Sequence, residues 1–214
     1  MTPKLVLFDL DGTLVDSAPD IAAALNAALA ELGQPVQPLP VVTSYVGDGA
    51  AKLVERAVGP TTEVDQEVLL ERFKAQYASH ICVATRPYPG VVAALERFAA
   101  AGTPLVVVTN KPGDLARALL GALALDRFFA DVLGDGDGFP RKPSPEIALH
   151  VCARHGVAPT ETLLVGDGLP DVRLGRAAGG RVAAVTWGYT SRELLAAERP
   201  DWLIDAPVEL LTLP

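Results

Sequence analysis

The chain has 214 residues, half of them apolar and 21% charged, with 19 Gly and 18 Pro, a composition that builds one large domain or a compact domain carrying a smaller one. Eighteen basic residues against 26 acidic leave a net charge of −8, which argues against a general binder of nucleic acid or of anionic membranes. The two cysteines, Cys82 and Cys152, have no partner at metal-ligand spacing, so neither a disulfide framework nor a zinc site is expected and a reducing cytoplasm fits best.

The start Met1-Thr2-Pro3-Lys4 leads into a short apolar run that Asp9 and Asp11 interrupt, unlike a signal peptide. Ile21 to Ala30 is too short and Ala-rich to span a bilayer. Lys4-Leu5-Val6-Leu7-Phe8 is an apolar run ending at acidic residues, as expected of a strand buried on both faces of a parallel sheet. Three helical patterns follow between residues 16 and 85. The first takes Ser17 as N-cap and ends at Gly33; the second carries Ala50, Leu53, Val54, Ala57 and Val58 on one face; the third carries Leu70, Phe73, Tyr77 and Ile81. Beyond them strand and helix alternate. Leu105 to Val108, Thr162 to Val165 and Val182 to Val185 read as strands, with helical stretches after Pro89-Gly90, Pro112 and Pro145, and Asp131-Val132-Leu133 and Trp202-Leu203-Ile204 as short additional strands. The expected fold is α/β, a doubly wound, mainly parallel sheet formed by residues 1–15 and 86–214, with an all-helical cap of residues 16–85 inserted after the first strand. Leu14 to Ser17 and Val83 to Pro89 would be its hinges.

In open α/β sheets ligands bind beyond the carboxyl ends of the strands. Polar residues stand there: Asp9 and Asp11 after the first strand, Thr109-Asn110-Lys111 after the next long one, Gly166-Asp167-Gly168 and Asp171 after a later one, and Lys142-Pro143 before the intervening helix. Carboxylates two residues apart on extended backbone project the same way, which suits a nucleophile beside an acid/base, or a shared metal. Taken singly, each of these elements is an ordinary turn, cap or surface charge. Four in order, each at a strand end or opening the next helix, point to one site.

Asp9-Leu10-Asp11-Gly12-Thr13, Thr109-Asn110, Lys142 and Gly166-Asp167-Gly168-Leu169-Pro170-Asp171 resemble, in that order, the four signatures of the haloacid dehalogenase superfamily, and look closest to its phosphoglycolate phosphatase branch. The one departure is Gly168, where Ser or Thr is usual. The resemblance covers essentially the whole chain and implies a Rossmann-like core and a Mg²⁺-dependent phosphatase, working through an aspartyl-phosphate on a small phosphorylated metabolite such as 2-phosphoglycolate. It makes Asp9 the nucleophile, Asp11 the acid/base and Lys142 the balancing cation. Mg²⁺ would be held by Asp9, the backbone carbonyl of Asp11 and Asp167, with Asp171 behind them, and Thr109 and Asn110 would meet the substrate. A phosphosugar mutase and a non-catalytic phosphometabolite-binding protein are the alternatives, and the chain would be a monomer or homodimer.

Other features are expected to be structural. His80, His150 and His155 lack metal spacing, the run Gly134 to Gly138 reads as a flexible connection, and Tyr88, Trp187 and Tyr189 read as packing or rim aromatics. Within the cap, Tyr45-Val46-Gly47-Asp48-Gly49-Ala50 places a Gly-x-Gly turn before a helix bearing Lys52 and Arg56. Gly47 and Gly49 are therefore candidate substrate-binding residues, their turn offering N–H groups to a carboxylate.

Overall fold

The computed structural model describes residues 3–60 and 63–213; the start at Met1-Thr2, residues 61 and 62 of the expected cap and the final residue of the expected core lie outside them. In chain order the elements are β1 (Leu5–Phe8), β2 (Val15–Asp16), α1 (Ala18–Glu31), α2 (Leu39–Thr43), α3 (Ala50–Val58), α4 (Gln66–Ser79), β3 (Arg86–Pro87), α5 (Val91–Ala100), β4 (Leu105–Pro112), α6 (Gly113–Ala122), β5 (Asp131–Asp135), α7 (Glu146–His155), β6 (Thr162–Gly166), α8 (Leu169–Ala178), β7 (Arg181–Val185), α9 (Arg192–Ala197) and β8 (Trp202–Ile204), with three short 3₁₀ turns.

The apolar runs form a six-stranded sheet in the order β5-β4-β1-β6-β7-β8, every pairing parallel. Alternation along β1 sends Val6 and Phe8 into one apolar cluster, with Leu95 of α5 and Leu119 of α6, and Leu5 and Leu7 into the other, with Val151 of α7 and Val172 of α8. Both faces are thus covered, which is why these strands read as continuous apolar runs. From β1 the chain winds out through β4 and β5, then crosses to β6 and winds the other way. The order therefore reverses beside β1, and the loops after β1 and β6 open a crevice there.

Among the described residues between β2 and β3 stand four helices rather than three. The unexpected one, α2, is a five-residue helix opened by Leu39-Pro40, too short to show a periodic face. Ile21, Leu25, Val42, Leu53, Leu69, Phe73 and Tyr77 make a third apolar cluster, which Leu115 of α6 joins across the crevice. In α4 it is Leu69 rather than Leu70 that is fully buried. The two connections between the helices and the sheet are not loose: β2 and β3 pair antiparallel. Beside them the buried Asp20 carboxylate accepts hydrogen bonds from the N–H groups of Val83, Ala84 and Thr85 and from the Thr85 hydroxyl. Burial works to raise its pKa, but those donors outweigh it and hold the carboxyl below its ordinary value. Among the described residues no helix is long and apolar enough to cross a membrane.

Two local expectations are corrected. Ser17 occupies the N-cap position of α1 without capping it. Its hydroxyl turns to Asp11, and the Tyr189 hydroxyl, 172 residues away, accepts the N–H groups of Ser17 and Ala18 instead. The run Gly134 to Gly138 is tied down rather than flexible: Asp137 accepts from Gly134 N and pairs with Arg117, and Asp135 pairs with Arg141.

Candidate active site

Asp9 follows β1 directly and its N–H bonds to Val165 O of β6, so the nucleophile candidate stands at the reversal of strand order. The chain then turns sharply through Gly12, whose φ of +87° favours glycine. A Cβ there would lie 2.4 Å from Asp167 Oδ2, so the bare Gly12 backbone is what lets Asp167 approach. Asp167 follows β6 and is 3% exposed. Thr13 Oγ1 donates to its Oδ1 at 2.8 Å and Tyr189 N to its Oδ2 at 2.8 Å, which fixes the carboxylate while leaving each oxygen a free lone pair. Asp171, in the first turn of α8, accepts from Gly168 N at 2.9 Å. Carboxylate oxygens of Asp9, Asp167 and Asp171 lie within 4.8 Å of one another, all three residues being buried.

One cation pairs directly with two of these three charges. Lys142 Nζ donates to Asp171 Oδ1 at 2.7 Å and to Val108 O at 3.0 Å, and forms an ion pair with Asp9 Oδ1 at 2.8 Å. Burial opposes the ammonium charge, but Asp171 and Asp9 more than offset it and raise the Lys142 pKa. The carboxylates remain under-compensated. Burial, with the Asp171 charge adding and Lys142 opposing, pushes Asp9 up to about 6. Burial and the charges of Asp9 and Asp171 push Asp167 up to about 8, against the pull of Tyr189 N–H and Thr13.

The Asp11 side chain stands apart from that cluster. Ser17 Oγ donates to its Oδ1 at 2.5 Å, and Lys111 Nζ reaches Oδ1 and Oδ2 at 3.0 and 3.1 Å. Asp9 and Asp11 both open on a pocket with about 500 Å³ of empty space, its mouth included. Thr109, Asn110 and Lys111 line its sheet side, and Val46, Gly47, Gly49, Leu53, Phe73 and Tyr77 its helical side. Thr109 Oγ1 accepts from Lys111 N, which leaves its proton free to donate. Asn110 differs from expectation in where its amide is spent: Oδ1 accepts from Lys142 N at 2.9 Å, and Nδ2 donates to Gly47 O at 3.0 Å and Lys142 O at 3.3 Å. It ties the Gly47 turn to the sheet. A Cβ on Gly49 would sit 3.1 Å from Asn110 O, so this turn lies hard against the end of β4. The basic residues of α3 face elsewhere, Lys52 pairing with Glu55 and Arg56 with Asp48.

Two residues, Tyr189 and Lys111, contribute in roles that their sequence positions alone do not announce. Tyr189, expected at the rim, places Asp167 with its N–H and caps α1 with its hydroxyl, a contact that spans most of the chain and leaves no local trace. Lys111 is buried between Asp11 and the Tyr77 ring, its Nζ 4.3 Å from the ring centroid. A signal existed here: in extended backbone Lys111 shares a face with Thr109.

The chain matches the haloacid dehalogenase-like hydrolase family over residues 3–179. It is 42% identical to the phosphoglycolate phosphatase of Neisseria meningitidis serogroup A, covering 97% of this chain and 92% of that one, and 37% identical to that of Haemophilus influenzae strain Rd, covering 98% and 97%. The crystal structure of a predicted phosphoglycolate phosphatase from Haemophilus somnus 129pt superposes with a TM-score of 0.93 at 34% identity, over 99% of this chain and 98% of that one. With matched signatures, matched fold and relatives of this identity over nearly its full length, the chain belongs to the haloacid dehalogenase-like hydrolases.

Proposed function

We propose that this chain is a phosphoric monoester hydrolase that cleaves 2-phosphoglycolate through an aspartyl-phosphate on Asp9. The observation that carries this reading is the placement of Asp9, buried against Lys142 and two further carboxylates at the floor of a pocket whose walls come from both sheet and helices. Phosphoglycolate phosphatases more than a third identical over nearly the whole chain supply the substrate.

The donor set fits Mg²⁺. Three buried carboxylates offer hard oxygen ligands, and the raised values of Asp9 and Asp167 mark negative charge that Lys142 alone leaves uncompensated. Asp9, Asp167 and the backbone carbonyl of Asp11 would hold the ion, with Asp171, both of whose oxygens already accept hydrogen bonds, keeping Lys142 in place. Bound there, the ion would neutralise the carboxylates and the phosphoryl oxygens.

The chemistry then falls to the chain's own groups. An Asp9 carboxylate oxygen attacks phosphorus, and the bond from phosphorus to the glycolate oxygen breaks as Asp11 gives that oxygen a proton. Water attacks the aspartyl-phosphate, Asp11 takes the proton from it, and phosphate leaves with Asp9 regenerated. Ser17 and Lys111 orient Asp11 for both transfers. The Thr109 hydroxyl donates to a phosphoryl oxygen, and Lys142 offsets the charge that develops in the transition state. Residues 16–85 act as a cap that closes over the pocket, with the Gly47 to Gly49 turn, held by Asn110, forming its inner wall. The two cysteines are free thiols, in keeping with work in the cytoplasm.

The test is phosphate release from a panel of phosphate monoesters, with Mg²⁺ and with excess chelator. The reading expects 2-phosphoglycolate to give the highest kcat/KM and the chelator to silence turnover. Full activity in chelator contradicts the metal assignment, and a flat panel contradicts the substrate.

A further inference from the structure

Asp9, Asp11, Thr109 and Lys142 account for the phosphoryl half of a substrate, and the Gly47 to Gly49 turn offers the other half N–H groups but no countercharge. The leaving group of 2-phosphoglycolate carries a carboxylate. Closing a cap over an uncompensated carboxylate in an apolar pocket is costly, so the pocket has to offer it a cation or strong donors. Its helical wall is apolar, formed by Ile21, Val46, Leu53 and Phe73. Among the described residues that line the pocket, the single cation is Lys111.

Lys111 is placed for this by both layers of the molecule. Its backbone belongs to β4, three residues past the end of the regular β4–β5 pairing at Val108, and its side chain is buried. The ammonium lies against the ring of Tyr77, which α4 brings from the opposite wall. Burial opposes its charge, but Asp11 and Tyr77 raise its pKa, so it stays cationic. Tyr77 brings a second group. It is 1% exposed, yet its hydroxyl donates to no acceptor among the described residues. A buried hydroxyl without an acceptor is an exception in folded proteins and points to a partner that arrives from outside.

We propose that Lys111 and Tyr77 together form the receptor for the substrate's carboxylate, the ammonium supplying the charge and the phenol the hydrogen bond. The proposal rests on the phosphatase reading above and deepens it, because it names the residues that choose among phosphate esters. One member stands on the sheet and the other on α4, so the receptor is complete when cap and sheet meet. It also assigns the selecting charge to the pocket rather than to α3, whose Lys52 and Arg56 are paired elsewhere.

The test compares two esters that differ at one group: 2-phosphoglycolate, and 2-hydroxyethyl phosphate, which has a hydroxymethyl in place of the carboxylate. The readout is the ratio of their kcat/KM values within each variant, which is independent of how much of the variant folds. The wild-type ratio should favour 2-phosphoglycolate strongly. Lys111→Met should lower that ratio about 100-fold, as expected where a site built for a charged partner loses its counterpart. Tyr77→Phe, which keeps the ring in the apolar cluster, should lower it about 10-fold, as expected for one hydrogen bond to a charged group. A wild-type ratio near one removes the carboxylate-bearing substrate and the receptor with it. A high wild-type ratio that survives both substitutions overturns the receptor alone and leaves the phosphatase reading standing. Equal losses on the two esters give the same unchanged ratio, and would make Lys111 only a positioning residue for Asp11.

Discussion

Replacing Lys142 with Met should destabilise the metal-free protein in a way that depends on pH. Lys142 Nζ sits 2.8 Å from Asp9 Oδ1 and 2.7 Å from Asp171 Oδ1; at an effective dielectric of about 20, each contact corresponds to roughly 6 kcal/mol of Coulomb attraction. Desolvation of the three groups cancels much of that in the parent. Removing one partner of a buried pair nonetheless costs about 3–5 kcal/mol, because the other charges are left behind. In a chain of this size that corresponds to a fall in Tm of about 10 °C. Asp9 titrates at about 6 when folded against 3.8 ordinarily, so the folded state binds more protons across that window and loses stability as pH rises through it. Without Lys142 the Asp9 pKa rises further and the loss extends to higher pH. The gap between parent and variant should therefore be smallest near pH 4, where Asp9 and Asp167 are protonated, and widest near pH 8. Thermal unfolding in excess chelator across this range measures it. A gap that is constant with pH, or absent, would refute the claim that Lys142 holds the carboxylates by charge.

Other expectations follow from the same geometry. Gly12→Ala puts a Cβ where Asp167 now sits, at a positive φ that disfavours a side chain; it should raise the Mg²⁺ concentration for half-maximal activity at least about 10-fold, and an unchanged requirement would mean that Asp167 is not a ligand. Tyr189→Phe removes the acceptor for Ser17 N and Ala18 N, a lost cap worth about 1 kcal/mol, and should lower Tm by about 2–4 °C; an unchanged Tm would show that solvent replaces it at no cost. Because Asp167 titrates at about 8 in the metal-free fold, Mg²⁺ binding near neutral pH should release close to one proton. Calorimetry in buffers of different ionisation enthalpy reads this directly, and zero release would contradict an Asp167 protonated before the metal arrives.

The parts of the molecule that sequence makes legible are those with short-range causes. β1, β4, β6 and β7 announce themselves because burial on both faces leaves an unbroken apolar run, and the acidic residues after β1 and β6 converge because parallel strands put their carboxyl ends on one edge. Gly12 also has a readable reason, a tight turn directly after Asp11. Long-range contacts leave no such trace. The cap of α1 comes from Tyr189, the partner of Lys111 comes from α4, and the Asn110 amide is spent on Gly47 and Lys142. Each of these depends on where the four helices come to rest against the sheet. The position of Leu69 rather than Leu70 in the core of α4 is of the same kind, since a stripe of apolar residues fixes a face only to within a residue when both neighbours are leucine.

The claim on which the rest depends is that phosphate passes through Asp9. The most direct measurement uses Asp11→Asn with an aryl phosphate as substrate, whose leaving group needs no proton, so that Asp9 is still phosphorylated while the water-attack step loses its base and the intermediate accumulates. Protein mixed with substrate and Mg²⁺, quenched in acid and digested, is read by mass spectrometry. The account predicts one added phosphoryl group on the peptide that contains Asp9, absent when Asp9→Asn is combined with it. Substrate turnover with no adduct, or an adduct that maps to another residue, would contradict it.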